Sequence, residues 1–325
     1  MAAIVLACDD KYIPFTAVVA RRVARYATEK FPIIVVSDGV SDENKAFAQK
    51  FCPQISFIEA ASVFGDRELP VSESFSRAAH LRLFLDEILS DFDRAVYLDS
   101  DISVLTDVSP LLAMLPKSAP IIAAHDLFLM IDGTYRERLQ MSAPYFNSGV
   151  MVLDLKAIRA ERIFPTALQY ALDHPERCPF VDQDPLNAIL NGRWQTLDWR
   201  WNAVNYMSER LPKQPFIRHF AGSKPWLPKK LGVEPRFAGE WRSDLAESPW
   251  PGRFHEQSLK YRALNVLRPT TSAVEHFAKS LVYSRSAGKR GERARLVNNF
   301  SAALAEIEQS AAAGSLADLI PFTRI

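Results

Sequence analysis

The chain has 325 residues, 48% of them hydrophobic, which is enough to bury a large core and excludes disorder over most of its length. Its 39 Lys+Arg stand against 38 Asp+Glu, a net charge of +1 that excludes a chain built mainly to hold nucleic acid or acidic polymers. The balance is uneven: residues 1–252 carry 28 basic and 32 acidic side chains, and residues 253–295 carry ten and three. Length and charge together predict a large domain over 1–250 and a helical, partly basic extension over 251–325. The opening MAAIVLACDD lacks the basic start of a signal peptide, and no apolar run approaches the roughly 18 residues of a membrane span, so the expectation is a soluble, cytoplasmic body. Cys8, Cys52 and Cys178 are odd in number and far apart, which suits reduced buried thiols.

In chain order, Ala3 to Cys8 is a continuous apolar run that predicts a buried strand ending at Asp9 and Asp10. Pro14 opens a helix to about Glu29. Ile33 to Val36 is a second strand, Ser41 caps a helix with Asp42 and Glu43 in its first turn, and Ile55 to Ile58 is a third strand. Ala78, Leu81, Leu85 and Leu89 predict a helix over Ser74 to Leu89. This alternation predicts an α/β fold with a central sheet flanked by helices. No G-x-G-x-x-G follows the first strand, so a glycine-rich phosphate cradle has no support.

The next strand, Ala95 to Leu98, delivers Asp99 and Asp101 to its carboxyl end, where ligands of open α/β sheets gather. Carboxylates one residue apart can hold a hard cation that carries a diphosphate, although Asp-x-Asp also closes ordinary turns. Ile121 to Ala124 ends at His125 and Asp126. In YFNSGVMVLDL, residues 145–155, Asn147, Ser148 and Gly149 form either a turn or a set of polar groups for sugar hydroxyls. Helix signals run from Ala157 to about Leu172. Asp182 and Gln183 precede Pro185 at a helix start, where capping is the plain alternative to a site. Three tryptophans between 194 and 201, with Asn202 and Asn205, suit either core packing or a sugar platform. His219 follows the strand-like Phe216 and Ile217, with Gly222 and Lys224 close behind; on residue type alone it reads as a packed histidine.

The blocks ACDDKY (7–12), HLRL (80–83), YLDSD (97–101), HDLF (125–128), FNSGV (146–150), DQDPLN (182–187) and HFAGSKPW (219–226) together resemble glycosyltransferase family 8, the retaining, metal-dependent group that includes bacterial lipopolysaccharide galactosyl- and glucosyltransferases and, more distantly, glycogenin. The resemblance implies the glycosyltransferase A type of nucleotide-diphosphate-sugar transferase fold, with a mixed central sheet, a UDP-hexose donor (UDP-galactose or UDP-glucose) and Mn²⁺ or Mg²⁺. It implies Asp99, Asp101 and His219 as metal ligands. Ala7 and Asp9 would meet the uridine, with Ser100 near the ribose; Arg82, Gly222 and Lys224 would face the diphosphate. Asp126, Asn147, Asp182 and Gln183 would line the sugar. The chain departs from the pattern at His80, where galactosyltransferases carry tyrosine, and between Gly222 and Lys224, where one residue replaces two.

The expected chemistry is transfer of the hexose to a glycan or a lipid-linked oligosaccharide. Either a carboxylate at Asp182 attacks the sugar, as in retaining glycosidases, or the acceptor attacks from the front face while Asp182 and Gln183 stabilise positive charge; the second is the expectation. Two other readings are a sugar-1-phosphate nucleotidyltransferase, whose Gly- and Arg-rich loop is missing from ACDDKYIP, and a carbohydrate-binding scaffold without turnover. In the extension, Ser272 with Glu275 caps an amphipathic helix followed by Arg285, Lys289, Arg290, Arg293 and Arg295. That segment either touches the inner face of a membrane peripherally or packs on the protein.

Overall fold

The structure, a computed structural model, describes residues 1–65, 69, 77–117, 119–126, 129–130, 134–204, 214–221, 224–226 and 235–250. Gly222, the residues Ser74 to Ser76 and the whole extension 251–325, including its expected helices and basic segment, lie outside these residues.

The larger sheet has the order β3-β2-β1-β4-β7-β6-β8. Its strands are β1 (Ala2–Asp9), β2 (Ile33–Asp38), β3 (Ile55–Glu59), β4 (Arg94–Leu98), β6 (Ile121–His125), β7 (Phe146–Asp154) and β8 (Gln195–Thr196). β3, β2, β1 and β4 run parallel, as the alternation of strands and helices requires, and β7 runs antiparallel to both β4 and β6. The sheet is therefore mixed.

Period-two alternation divides β1 between two cores. Ala3 and Val5 face a layer with Leu81, Leu155, Phe164 and Leu186. Ile4 and Leu6 face α1 (Ile13–Tyr26) and the apolar side of α2 (Asp42–Phe51). Both faces are covered, which is why the parallel strands read as unbroken apolar runs. The oxygen of Ser41 accepts from the backbone N–H of Asn44, so the expected cap of α2 forms.

Two expected helices take other shapes. Residues Arg77–Phe84 form a 3-10 helix, with only Leu85–Ile88 continuing as α-helix. Ala78, Leu81 and Phe84 repeat every three residues and are all buried, a spacing the tighter helix serves as well as the wider one. The stretch Ala157 to Leu172 is two helices, Leu155–Ala160 and Ile163–Asp173, broken where Arg162 takes a left-handed conformation at φ 51°.

A smaller sheet, β5-β10-β9, joins β5 (Ile102–Val104), β9 (Ala203–Val204) and β10 (Ile217–His219). Its pairing sets His219 opposite Ile102, directly after Asp101. The helix Pro235–Ala246 closes over this sheet. Arg22 pairs with Asp244 and donates to the carbonyl of Val104 at 3.0 Å, and Trp241 Nε1 donates to the carbonyl of Ile102 at 3.2 Å. Phe15 stacks on Trp226 at 3.8 Å between centroids. Among the described residues no helix is long and apolar enough to cross a membrane. Cys8, Cys52 and Cys178 are free and buried.

Candidate active site

The polar residues converge on one edge of the larger sheet. β1, β4 and β6 end there, delivering Asp9, Asp99 and Asp126, and β7, running the other way, starts there with Asn147, Ser148 and Gly149. A register irregularity in β6 between Ala123 and His125 breaks the regular pairing immediately before Asp126.

Asp99, Asp101 and His219 each offer one ligand atom within 4.8 Å of the others. His219 Nε2 lies 3.4 Å from Asp101 Oδ1 and 3.7 Å from Asp99 Oδ2. Two hard carboxylate oxygens and one imidazole nitrogen fit a manganese-like divalent cation. Space for the ring comes from Gly149: a Cβ there would sit 2.8 Å from His219 Nδ1 and 2.9 Å from Asp99 Oδ2, and closer still to Cε1. Here the glycine serves close approach rather than a turn.

Two cations flank the carboxylates. Arg82, carried by the 3-10 helix, donates to Asp99 Oδ1 at 2.6 Å, to Ser148 Oγ at 2.8 Å, and to Asp182. Its guanidinium lies 4.7 Å from the Tyr97 ring centroid, and Tyr97 Oη donates to Asp99 Oδ1 at 3.0 Å. Lys224 pairs with Asp101. The two aspartates shift in opposite directions. Burial pushes Asp99 up against the pull of Arg82, whereas for Asp101 burial is outweighed by Lys224 and His219, which hold its carboxyl well below the usual range.

On the other side stands a group of amides. Gln183 accepts from the backbone N–H of Ser148 at 2.9 Å through Oε1 and donates to Asp126 Oδ2 at 3.2 Å through Nε2. Asn147 Nδ2 donates to the same Asp126 oxygen at 3.0 Å. Asp182 stands at the start of the helix Gln183–Leu190 but makes no side-chain cap; its Oδ2 accepts from Ser148 Oγ at 2.9 Å and from Arg82. The capping alternative is therefore excluded for Asp182, because an acid committed to Arg82 has left the helix terminus.

The remaining expected residues lie nearby. Asp9 Oδ1 accepts from the backbone N–H groups of Lys11 and Tyr12 at 3.1 and 3.0 Å, bracing the turn after β1. Ala7 pairs with Val36, and Ser100 Oγ meets Thr16 Oγ1 at 2.8 Å. Ser148, one of the polar groups before the β7 run, is the hub of the arrangement, and two further residues that carry it, Tyr97 and Thr16, have no sequence motif of their own. Tyr97 stands two residues before Asp99 on the strand, so same-face alternation was the available signal. Asn202 is 1% exposed and spends its amide on Asn147 and His219, so the sugar-platform reading fails for it.

The mixed sheet flanked by helices has the glycosyltransferase A type of fold. Residues 3–230 match the family described as glycosyl transferase family 8, and the chain belongs to it. It is 29% identical over 223 residues to general stress protein A of Bacillus subtilis, spanning 60% of this chain and 76% of that protein. It is 28% identical over 199 residues to the lipopolysaccharide 1,2-glucosyltransferase of Escherichia coli, spanning 56% of this chain and 58% of that protein. Among solved structures, galactosyltransferase LgtC bound to donor and acceptor sugar analogues superposes with a TM-score of 0.69 at 25% identity, over 78% of this chain and 99% of that one.

Proposed function

We propose that this chain is a retaining hexosyltransferase that moves galactose or glucose from a UDP-sugar to a glycan or lipid-linked acceptor, with Mn²⁺ held by Asp99, Asp101 and His219. The observation that carries the reading is the convergence of those three ligands between Arg82 and Lys224 at the carboxyl edge of the sheet. It is supported by membership of a glycosyltransferase family and by likeness to a lipopolysaccharide 1,2-glucosyltransferase and to a galactosyltransferase.

The chemistry follows from charge. Breaking the bond between the anomeric carbon and the diphosphate leaves negative charge on phosphate oxygens and positive character on the sugar. A bound divalent cation supplies Lewis-acid stabilisation to the leaving diphosphate. Lys224 and Arg82 add fixed positive charge on that side. Asp182 and Gln183, with Asp126 and Asn147 behind them, face the sugar, and Asp182 offers negative charge to the developing cation. In front-face transfer the acceptor oxygen forms the new bond, its proton passes to the departing phosphate, and UDP leaves without a covalent sugar on the protein. Ala7, Asp9 and Ser100 hold the nucleoside, and Gly222, outside the described residues, is a further donor-binding residue. Residues 1–250 form the catalytic unit. The basic segment of 251–325 draws it to the inner, cytoplasmic face of a membrane bearing the acceptor.

The test is UDP release from UDP-galactose, UDP-glucose and other UDP-hexoses, with Mn²⁺ or EDTA. Slow metal-dependent hydrolysis of one donor, lost in Asp101→Ala, is expected. Equal rates in EDTA, or no turnover of any donor, contradict the proposal.

A further inference from the structure

The orientation of each amide near the site follows from the backbone. Gly149 N–H can only donate, and the side-chain atom 3.0 Å away is therefore Oδ1 of Asn147. The other end of that amide, Nδ2, points at Asp126 Oδ2, a carboxylate oxygen that can only accept from it. The same Asn147 Oδ1 meets Asn202 at 2.9 Å, so Asn202 must present Nδ2 there and turn its Oδ1 to His219 Nδ1, 2.8 Å away. An amide oxygen is an acceptor alone, and Nδ1 of His219 must carry a hydrogen. In the neutral ring that leaves the lone pair on Nε2, the atom facing Asp101 and Asp99.

From this chain of bonds we infer that Asn202 is a positioning residue for the metal ligand His219, selecting the tautomer and ring orientation in which Nε2 can bind a divalent cation. The inference rests on the metal-dependent reading above. Asn202 does not touch the cation or the donor. It acts through His219, as outer hydrogen-bond partners of metal-bound histidines generally do. It is 1% exposed, and its neighbours Asn147 and His219 are 6% and 3% exposed, so no solvent competes for these bonds. The bonds run on through Asn147 and Asp126 to Gln183, whose Oε1 is held by Ser148 N–H. One relay, with its polarity set by two backbone N–H groups, thus links the cation side of the site to the sugar side.

The test is Mn²⁺ binding to the full chain in the presence of UDP, read from the paramagnetic resonance signal of free Mn²⁺. Wild type, Asn202→Ala, Asn202→Asp and Asp101→Ala are compared, with circular dichroism as the check on folding. Asn202→Ala is expected to weaken Mn²⁺ binding by about 10- to 100-fold. Asn202→Asp keeps an acceptor for Nδ1–H and is expected to bind more tightly than Asn202→Ala. If the alanine variant does not fold, Asn202→Leu, close in volume, takes its place. Mn²⁺ binding by Asn202→Ala or Asn202→Leu equal to wild type, with Asp101→Ala deficient, overturns the role of Asn202 and leaves the metal site standing. No Mn²⁺ bound by wild type, or undiminished binding in Asp101→Ala, overturns the metal reading and this inference together.

Discussion

The two sides of the site are built on different principles. On the cation side, Asp99, Asp101, Arg82 and Lys224 satisfy one another as charges, and each charge can exchange one partner for another of the same sign. On the other side, Asn147 and Gln183 are neutral, with Asn202 behind them against His219, and their orientations are set by backbone N–H groups and by Asp126. Charged groups in a half-dry cleft suit ligands that arrive and leave with large charge, such as a cation and a diphosphate. Neutral amides clamped at both ends hold a fixed hydrogen-bonding pattern, which is what discrimination among hydroxyl groups requires. Ser148 joins the two, accepting from Arg82 and contacting both Asp182 and Gln183.

The comparison is broken most sharply at Asp182, which belongs to both sides. In the proposed mechanism, Asp182→Asn removes the charge that faces the sugar, together with half of the Arg82 pairing. Donor turnover should fall by about 10²-fold or more, with no glycosyl-enzyme detectable by intact-mass measurement. A trapped sugar on Asp182 in the wild type would establish double displacement instead. Next comes Gly149→Ala, which pushes a methyl into the His219 ring and Asp99. Mn²⁺ affinity should drop by about 10-fold or more, measured by the same resonance titration, while the amides beyond Asn147 stay in place. Asp244→Ala removes an ionic partner of buried Arg22, whose bond to the Val104 carbonyl remains, and should lower stability in denaturant titration by up to about 3–5 kcal/mol. The smallest effect is chemical. Burial pushes the thiols of Cys8 and Cys178 up to about 12 and that of Cys52 up as well, so a thiol reagent at pH 8 should find none of the three until the chain is unfolded.

The legibility of the two sides also differs. Asp99 and Asp101 stand at the end of an apolar run, and strand periodicity alone placed them at a sheet edge. Arg82 and His219 were reached through the family resemblance, since a single arginine or histidine carries no local signal. The tryptophans around Asn202 leave core packing and a sugar platform equally open. The true partners of Asn202 stand 17 and 55 residues away and are brought to it by the pairing of β9 with β10 and by β7. Asp182 shows the same limit from the other side. A helix-start acid looks like a cap until Arg82, 100 residues earlier, takes it. Local periodicity also could not separate the 3-10 helix Arg77–Phe84 from an α-helix, because the buried positions repeat at a spacing common to both.

The most direct measurement is calorimetric titration of UDP into the full chain, with Mn²⁺ and with EDTA, in wild type and Asp101→Ala. The account predicts tight UDP binding by wild type with Mn²⁺, and a large loss both in EDTA and in the variant. UDP binding of equal strength in all four conditions would show that the nucleotide is held without a cation on Asp99, Asp101 and His219, and would contradict it.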